Sequence, residues 1–364
     1  MSARNHFIFW SAAFSSFILL VWLFKGMLLP FVLGIAVAYL LNPIVNKLGG
    51  VGLARGPAAM VIMCTFFLLF GGLIAAVAPI AYNELIQLSK DIPGYADKIG
   101  ALIEPLSIWV RDLIGQRNGE ELQALVGRHA GSAFGVAGKL VGGLAAGGQA
   151  VVDVISLVVI MPIVAYFMMK EWPKITNWAQ GLMPRHSEKT IMKLLKEIDK
   201  KIAGFVRGQI SVAFILAVIY AVGLSLAGLK YGFLIGLTAG FLSVIPMVGS
   251  AIGLVVSVGV ACFQWLPDGE WIRVAVVAGI FIAGQIVEGN FLTPKLVGDS
   301  VGLHPLWVFF ALLAGGSLFG ILGMFLAVPV AAIAGVLLAF GIAQYKASPY
   351  YKEGKPKAKK KKEA

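Results

Sequence analysis

Charge is scarce in this chain. Of its 364 residues only 13% are Asp, Glu, Lys or Arg, against roughly 25% in an ordinary soluble domain, which excludes a water-facing globule. Cysteine is rarer still. Cys64 and Cys262 both sit in apolar runs with no ligand spacing around them, so a disulfide framework or zinc site is not expected and both read as packing residues. The four histidines, His6, His129, His186 and His304, are dispersed. No HExxH or Walker pattern occurs, and no nucleophile has an obvious base. An enzyme, a resident metal or cofactor and an ATP-driven pump are therefore not expected.

Apolar side chains fill the space that charge leaves. Hydrophobic residues make up 59% and mean hydropathy is +0.87. Eight runs reach or approach the ~20 apolar residues that cross ~30 Å of hydrocarbon: 7–24, 26–41, 58–82, 150–169, 206–228, 233–263, 274–292 and 306–343. The fold class that follows is an all-α integral membrane protein with about eight membrane segments. The first run is longer than a signal-peptide core and is expected to remain as a helix.

Lys and Arg set the orientation, because they accumulate in loops left in the cytoplasm. The connector 170–206 carries Lys170, Lys174, Arg185, Lys189, Lys193, Lys196, Lys200 and Lys201, and the tail adds lysines from Lys346 to Lys362. That connector and both termini are placed inside. From Ser187, a plausible N-cap, to Val206, apolar residues such as Ile191, Leu194, Ile198 and Phe205 share one helical face and the lysines largely the other. A basic amphipathic helix of this kind lies against anionic membrane lipids. The connector 83–149 balances its charges and is placed outside, its periodicity predicting short amphipathic helices interrupted at Pro93 and Pro105. Small residues at four-residue spacing in 131–148 favour close helix packing or self-association.

On this reading the net charge of +12 is an orientation signal, and nucleic acid is not an expected partner. The chain divides into a scaffold of three spans (1–82), outer helices (83–149), a fourth span (150–169), the basic cytoplasmic helix (170–206), a C-terminal transport core (207–345) and a disordered lysine-rich tail (346–364). The tail reads as a tether to anionic lipid.

Two runs in the core have the wrong length. Residues 233–263 would make about 46 Å of continuous helix, too long for one span and too short for two. SVIPMVGS at Ser243–Ser250 interrupts them: Pro246 removes a backbone donor and Gly249 permits unusual dihedrals. Residues 306–343 contain Gly315, Gly316, Gly320, Gly323 and Pro329. Two readings stand, re-entrant hairpins or kinked, tilted spans. Hairpins leave backbone polar groups at membrane depth, which is tolerable only inside protein or along a wet cavity, and in transporters such broken ends commonly form the site.

Between these two runs lies the candidate site. Gln285, Glu288 and Asn290 come toward the end of one helix, with Gln285 and Glu288 three residues apart on one face, and Thr293-Pro294-Lys295 is expected to stop it. A carboxylate with amide neighbours suits proton or cation coupling, or hydrogen bonding to a polar solute. The alternative is an interfacial carboxylate paired with Lys295 or Arg207. Arg207 and Gln209 form a second polar group at the start of the fifth run, where snorkelling accounts equally well for Arg207. Asp299, Ser300 and His304 follow in a Gly-punctuated loop that lines either the cavity or water.

Three stretches resemble the autoinducer-2 exporter family of prokaryotic membrane transporters: SVIPMVG at Ser243–Gly249, EGNFLTPKLVGDSVGLHP at Glu288–Pro305, and GILGMFLAVPVAA at Gly320–Ala332. Their order and spacing agree over most of the chain. The resemblance implies an eight-segment protein of the bacterial cytoplasmic (inner) membrane, a homo-oligomer. It attributes export of the quorum-sensing signal autoinducer-2 to some members and monovalent cation/proton exchange to others. Functional roles carry over only to Glu288, Asn290, Pro294 and Gly298, and the lysine-rich tail falls outside the pattern. The expected function is a secondary transporter or facilitator that moves a small polar solute outward, with Glu288 taking the coupling H+ or Na+. A Na+/Li+ proton antiporter built on the same site is the alternative, and a non-transporting membrane scaffold the third reading.

Overall fold

The computed structural model describes residues 8, 11–12, 15–16, 19–24, 27–114, 148–298 and 302–352. The small-residue stretch 131–147, Asp299, Ser300, the tail beyond 352 and much of the first apolar run lie outside them. Every described element is helical. In chain order they are α1 (Leu28–Gly50), α2 (Arg55–Ile114), α3 (Gly148–Gly181), α4 (Glu188–Leu226), α5 (Gly232–Leu242), α6 (Val248–Trp265) and α7 (Trp271–Val287). A π-helix, Glu288–Val297, follows α7 directly, and α8 (Pro305–Ala347) and the one-turn α9 (Pro349–Lys352) complete the order. Among the described residues seven helices are long and apolar enough to cross a membrane, and α5 is a shorter apolar helix. Large apolar side chains such as Leu68, Leu313 and Val255 are more than two-thirds exposed, the outer surface of a protein surrounded by lipid.

The chain divides into two compact units. Unit I comprises Leu29–Lys170 and Gln209–Thr293, and unit II comprises Met1–Leu28, Glu171–Gly208 and Pro294–Ala364.

In unit I, α1, α2 and α3 meet through small residues: Ala38 and Leu41 of α1, Ala58 and Ala59 of α2, and Ala165 and Met169 of α3 are all buried together. Lipid tails are as apolar as Leu, so close backbone approach and dispersion must hold such helices together. The approach is tight enough that a methyl group on Gly34 would lie 2.8 Å from the Met161 carbonyl oxygen. Arg55 staples the three helices. Its Nε donates to the Met169 carbonyl at 2.8 Å, and its terminal nitrogens donate to Asn46 Oδ1 at 2.8 Å and Asn42 Oδ1 at 2.7 Å.

The run 233–263 is a hairpin. It divides into α5 and α6, which pack on each other, around a turn where Met247 takes a left-handed φ of 67°. The turn is so close that a methyl on Gly249 would sit 2.3 Å from the Ala239 carbonyl oxygen. The 11 residues of α5 cover only about 16 Å, roughly half the hydrocarbon thickness. A short helix must therefore be held by its neighbours, and α5 lies backbone to backbone on α4 through Gly232, Gly236 and Gly240. A methyl on Gly236 would come 2.4 Å from Ala221 N, and one on Gly240 would come 2.0 Å from Ala217 Cα.

Within unit II the second over-long run also doubles back. Gly320 has φ 60° and ψ −138°, a conformation essentially confined to glycine. Beyond it the chain returns along itself: a methyl on Gly315 would be 3.3 Å from Ala327 Cβ, whereas a straight helix would separate the two positions by about 18 Å. Its first arm, 305–319, is about 22 Å long and short of a full span.

Four expectations need correction. α2 runs through Pro93 and Pro105 to Ile114 as one 60-residue helix and is not interrupted there; an interior proline costs about 3 kcal/mol through a lost hydrogen bond and a ring–carbonyl clash, which the rest of so long a helix outweighs. The basic amphipathic helix and the fifth run are one continuous 39-residue helix, α4. Thr293-Pro294-Lys295 does not stop its helix. The chain widens into the π-helix instead, with Pro294 inside it, because a looser turn relieves the clash of the proline ring with the preceding carbonyl. Both cysteines are free; Cys262 is partly buried, but Cys64 is exposed and packs into no core.

Candidate functional site

Glu288 stands where α7 gives way to the π-helix, the kind of winding change that often marks a functional position. Gln285, one turn earlier, turns its side chain to it, and Gln285 Nε2 donates to Glu288 Oε2 at 2.8 Å. The carboxylate is half-buried and the amide more open.

Tyr220, on α4, completes the group. Its ring is fully buried and stacks on Phe281 of α7, with centroids 4.4 Å apart and planes inclined by 25°. Gly284 makes room for it: a methyl there would lie 2.3 Å from Tyr220 Cε1. The Tyr220 hydroxyl makes no hydrogen bond among the described residues and lies against Gly284, the residue before Gln285, where a methyl would come 2.6 Å from it. A buried hydroxyl without a partner costs about 1–3 kcal/mol. It is a donor available to a polar visitor, beside a carboxylate that accepts.

Gln209 has a different role. It is buried, and its Nε2 donates to the Ser243 carbonyl at 2.6 Å. Ser243 Oγ in turn donates to the Ala239 carbonyl at 2.9 Å. The Gln209 bond satisfies a carbonyl freed by the break at Pro246 and Gly249, which is how irregular backbone survives at membrane depth, while the Ala239 carbonyl also keeps its helical bond from Ser243 N at 3.0 Å. The other end of α5 is braced too. Asp91 of α2 accepts from Lys230 Nζ at 2.7 Å and from the Tyr231 hydroxyl, and Glu84 Oε2 accepts from Leu234 N at 2.8 Å. Gln264 spans the adjoining turn, donating to the Gly228 carbonyl at 2.9 Å and accepting from Lys230 N at 2.8 Å.

Of the residues singled out from sequence, unit I holds Gln285 and Glu288 in direct contact, Asn290 and Thr293 on the following π-helical turns, and Pro246, Gly249 and Gln209 around the hairpin turn. Arg207, Pro294, Lys295 and Gly298 belong to unit II. There Gly208 touches the π-helix so closely that a methyl on it would lie 2.4 Å from the Leu296 carbonyl oxygen. His304 caps α8, its Nδ1 accepting from Leu306 N at 3.3 Å. Among the described residues no three His, Cys, Asp or Glu side chains gather to hold a metal ion.

Sequence reasoning missed Tyr220, although it is the one aromatic hydroxyl in the run 206–228. It also missed the glycine stripe 232/236/240, whose four-residue spacing was legible, and the carboxylates of Glu84 and Asp91, whose partners lie about 140 to 150 positions away.

Membrane-length apolar helices, two of whose runs turn back on themselves, define a multi-pass all-α membrane protein. The sequence model for "AI-2E family transporter" matches residues 12–342. The chain belongs to that family. It is 31% identical over 314 residues to the Bacillus subtilis protein named "Putative transport protein YrrI", covering 86% of each chain. Identity to "Putative permease PerM" of Escherichia coli K12 is 26% over 315 residues, with 86% of this chain and 87% of the relative covered. A second Bacillus subtilis relative, YueF, bears the same transport-protein description at 27% identity over 340 residues, 89% of this chain and 85% of its own.

Proposed function

We propose that this protein is a secondary transporter or facilitator that moves a small polar solute out of the cell, autoinducer-2 being the proposed cargo, and that Glu288 takes the coupling proton or Na+. The observation that carries the reading is the Glu288–Gln285 pair set beside the unpartnered Tyr220 hydroxyl between two apolar helices. A scaffold has no use for a carboxylate and a spare donor in hydrocarbon, where ionisable groups are costly and usually functional. Family membership supports transport in general. The distribution of Lys and Arg supports an inner-membrane protein with both termini cytoplasmic, and a homo-oligomer is proposed with it.

Purified protein in liposomes tests the idea. Wild-type vesicles should release loaded autoinducer-2 faster than empty ones, and Glu288→Gln should abolish dependence on an imposed proton or Na+ gradient. Unchanged gradient dependence in that variant removes the coupling role. The same carboxylate suits a Na+/Li+ proton antiporter, which would dissipate an imposed pH gradient on addition of Na+ or Li+ with no organic solute present.

A further inference from the structure

We propose that the start of α4 binds the phosphate of an anionic phospholipid, with the lipid's hydrocarbon resting on the second arm of α8. Two adjoining pockets of unit II point to it. The first, about 810 Å³, lies between the end of α3 and the start of α4 and is lined by Gln180, Arg185, His186, Lys189, Lys193 and Lys196, with Glu188 and Met192. The second, about 460 Å³, shares Lys189 and Lys193 and is otherwise lined by Thr190, Leu194 and Glu197 of α4 and by Val336, Ala339, Phe340 and Gln344 of α8.

Lys189, Lys193 and Lys196 recur at the spacing that puts side chains on one face of a helix. None of the three is ion-paired with another described residue. The first pocket's carboxylate, Glu188, is already engaged, accepting from Gln180 Nε2 at 2.9 Å and pairing with Arg185 at 3.4 Å. Glu197 is the carboxylate of the second pocket, one against two shared lysines. An anion is therefore favoured where the pockets join. A free phosphate would use the first pocket alone and leave the apolar surface of Ala339 and Phe340 uncovered. A phospholipid fills both, because its charge meets the lysines and its chains meet an apolar arm of a membrane helix, the amphipathic match expected at a bilayer surface.

The test uses the full-length protein in mixed micelles, with retained lipid counted by native mass spectrometry. Phosphatidylglycerol should be retained about fivefold or more over phosphatidylcholine, a preference within reach of two or three lysines near a phosphate. Lys189→Gln with Lys193→Gln should erase that preference, whereas Lys174→Gln with Lys200→Gln, which removes equal charge from the same unit outside the pockets, should leave it intact. Equal loss in the two double variants would reduce the effect to general surface charge and overturn the proposal. So would equal retention of the two lipids, or displacement of phosphatidylglycerol by millimolar inorganic phosphate, which would show that the headgroup alone is recognised.

Discussion

Tyr220→Phe should make this protein harder to unfold and poorer at transport. The substitution keeps the ring that stacks on Phe281 at 4.4 Å and removes only an oxygen that has no partner among the described residues. Burying an unpaired hydroxyl costs about 1–3 kcal/mol, and replacing it by hydrogen opens little space, so a gain of about 1–2 kcal/mol is expected, or roughly five- to thirtyfold in the folded ratio. Transport should move the other way. If the hydroxyl hydrogen-bonds a passing solute or ion beside Glu288, its loss should lower flux by about tenfold, the worth of one such bond. Reversible unfolding in mixed detergent micelles reads the first quantity and proteoliposome flux the second. A variant that is less stable than wild type would mean that the hydroxyl is satisfied within the folded chain. Wild-type flux would remove Tyr220 from the path.

Two further perturbations probe the support around the site. Gly240→Leu should prevent α5 from seating on α4, since even a methyl would fall 2.0 Å from Ala217 Cα; the expected result is loss of monodisperse protein on size exclusion, and normal yield and melting would refute the backbone contact. Asp91→Asn should loosen the turn before α5 by removing the charged acceptor of Lys230 and Tyr231. Because that pair is partly exposed, the loss should stay within about 1 kcal/mol, and it should appear as faster proteolysis between Gly228 and Gly232.

Length arithmetic made the two hairpins legible. A run of apolar residues that fits neither one crossing nor two has to bend; Pro246 and Gly249 marked the first bend, whereas the second was spread over Gly315, Gly316, Gly320, Gly323 and Pro329, of which the chain turns at Gly320. The Gln285–Glu288 contact was legible for the same local reason, a three-residue spacing on one helix. Proline misled where it was read as a stop. At Pro93 and Pro105 the helix absorbs the lost bond, and at Pro294 it changes winding, a choice that depends on neighbours such as Gly208 lying against Leu296. Tyr220 was hidden because its significance comes from Gly284, Gln285 and Glu288, some 64 to 68 positions away, and no periodicity within α4 announces that meeting.

The carboxylate that Glu84 offers to Leu234 N also constrains how the molecule can be made. The first turn of α5 has no side-chain cap of its own, and its donors, with the positive end of the helix, are answered by an acidic group that leaves the ribosome about 150 residues earlier. Synthesis from the N-terminus supplies that acceptor before the hairpin emerges. A circular permutant that began translation near Gly228 would send α5 into the bilayer with its amides bare, and should be cleared by quality-control proteases even though every contact of the finished protein remained available to it.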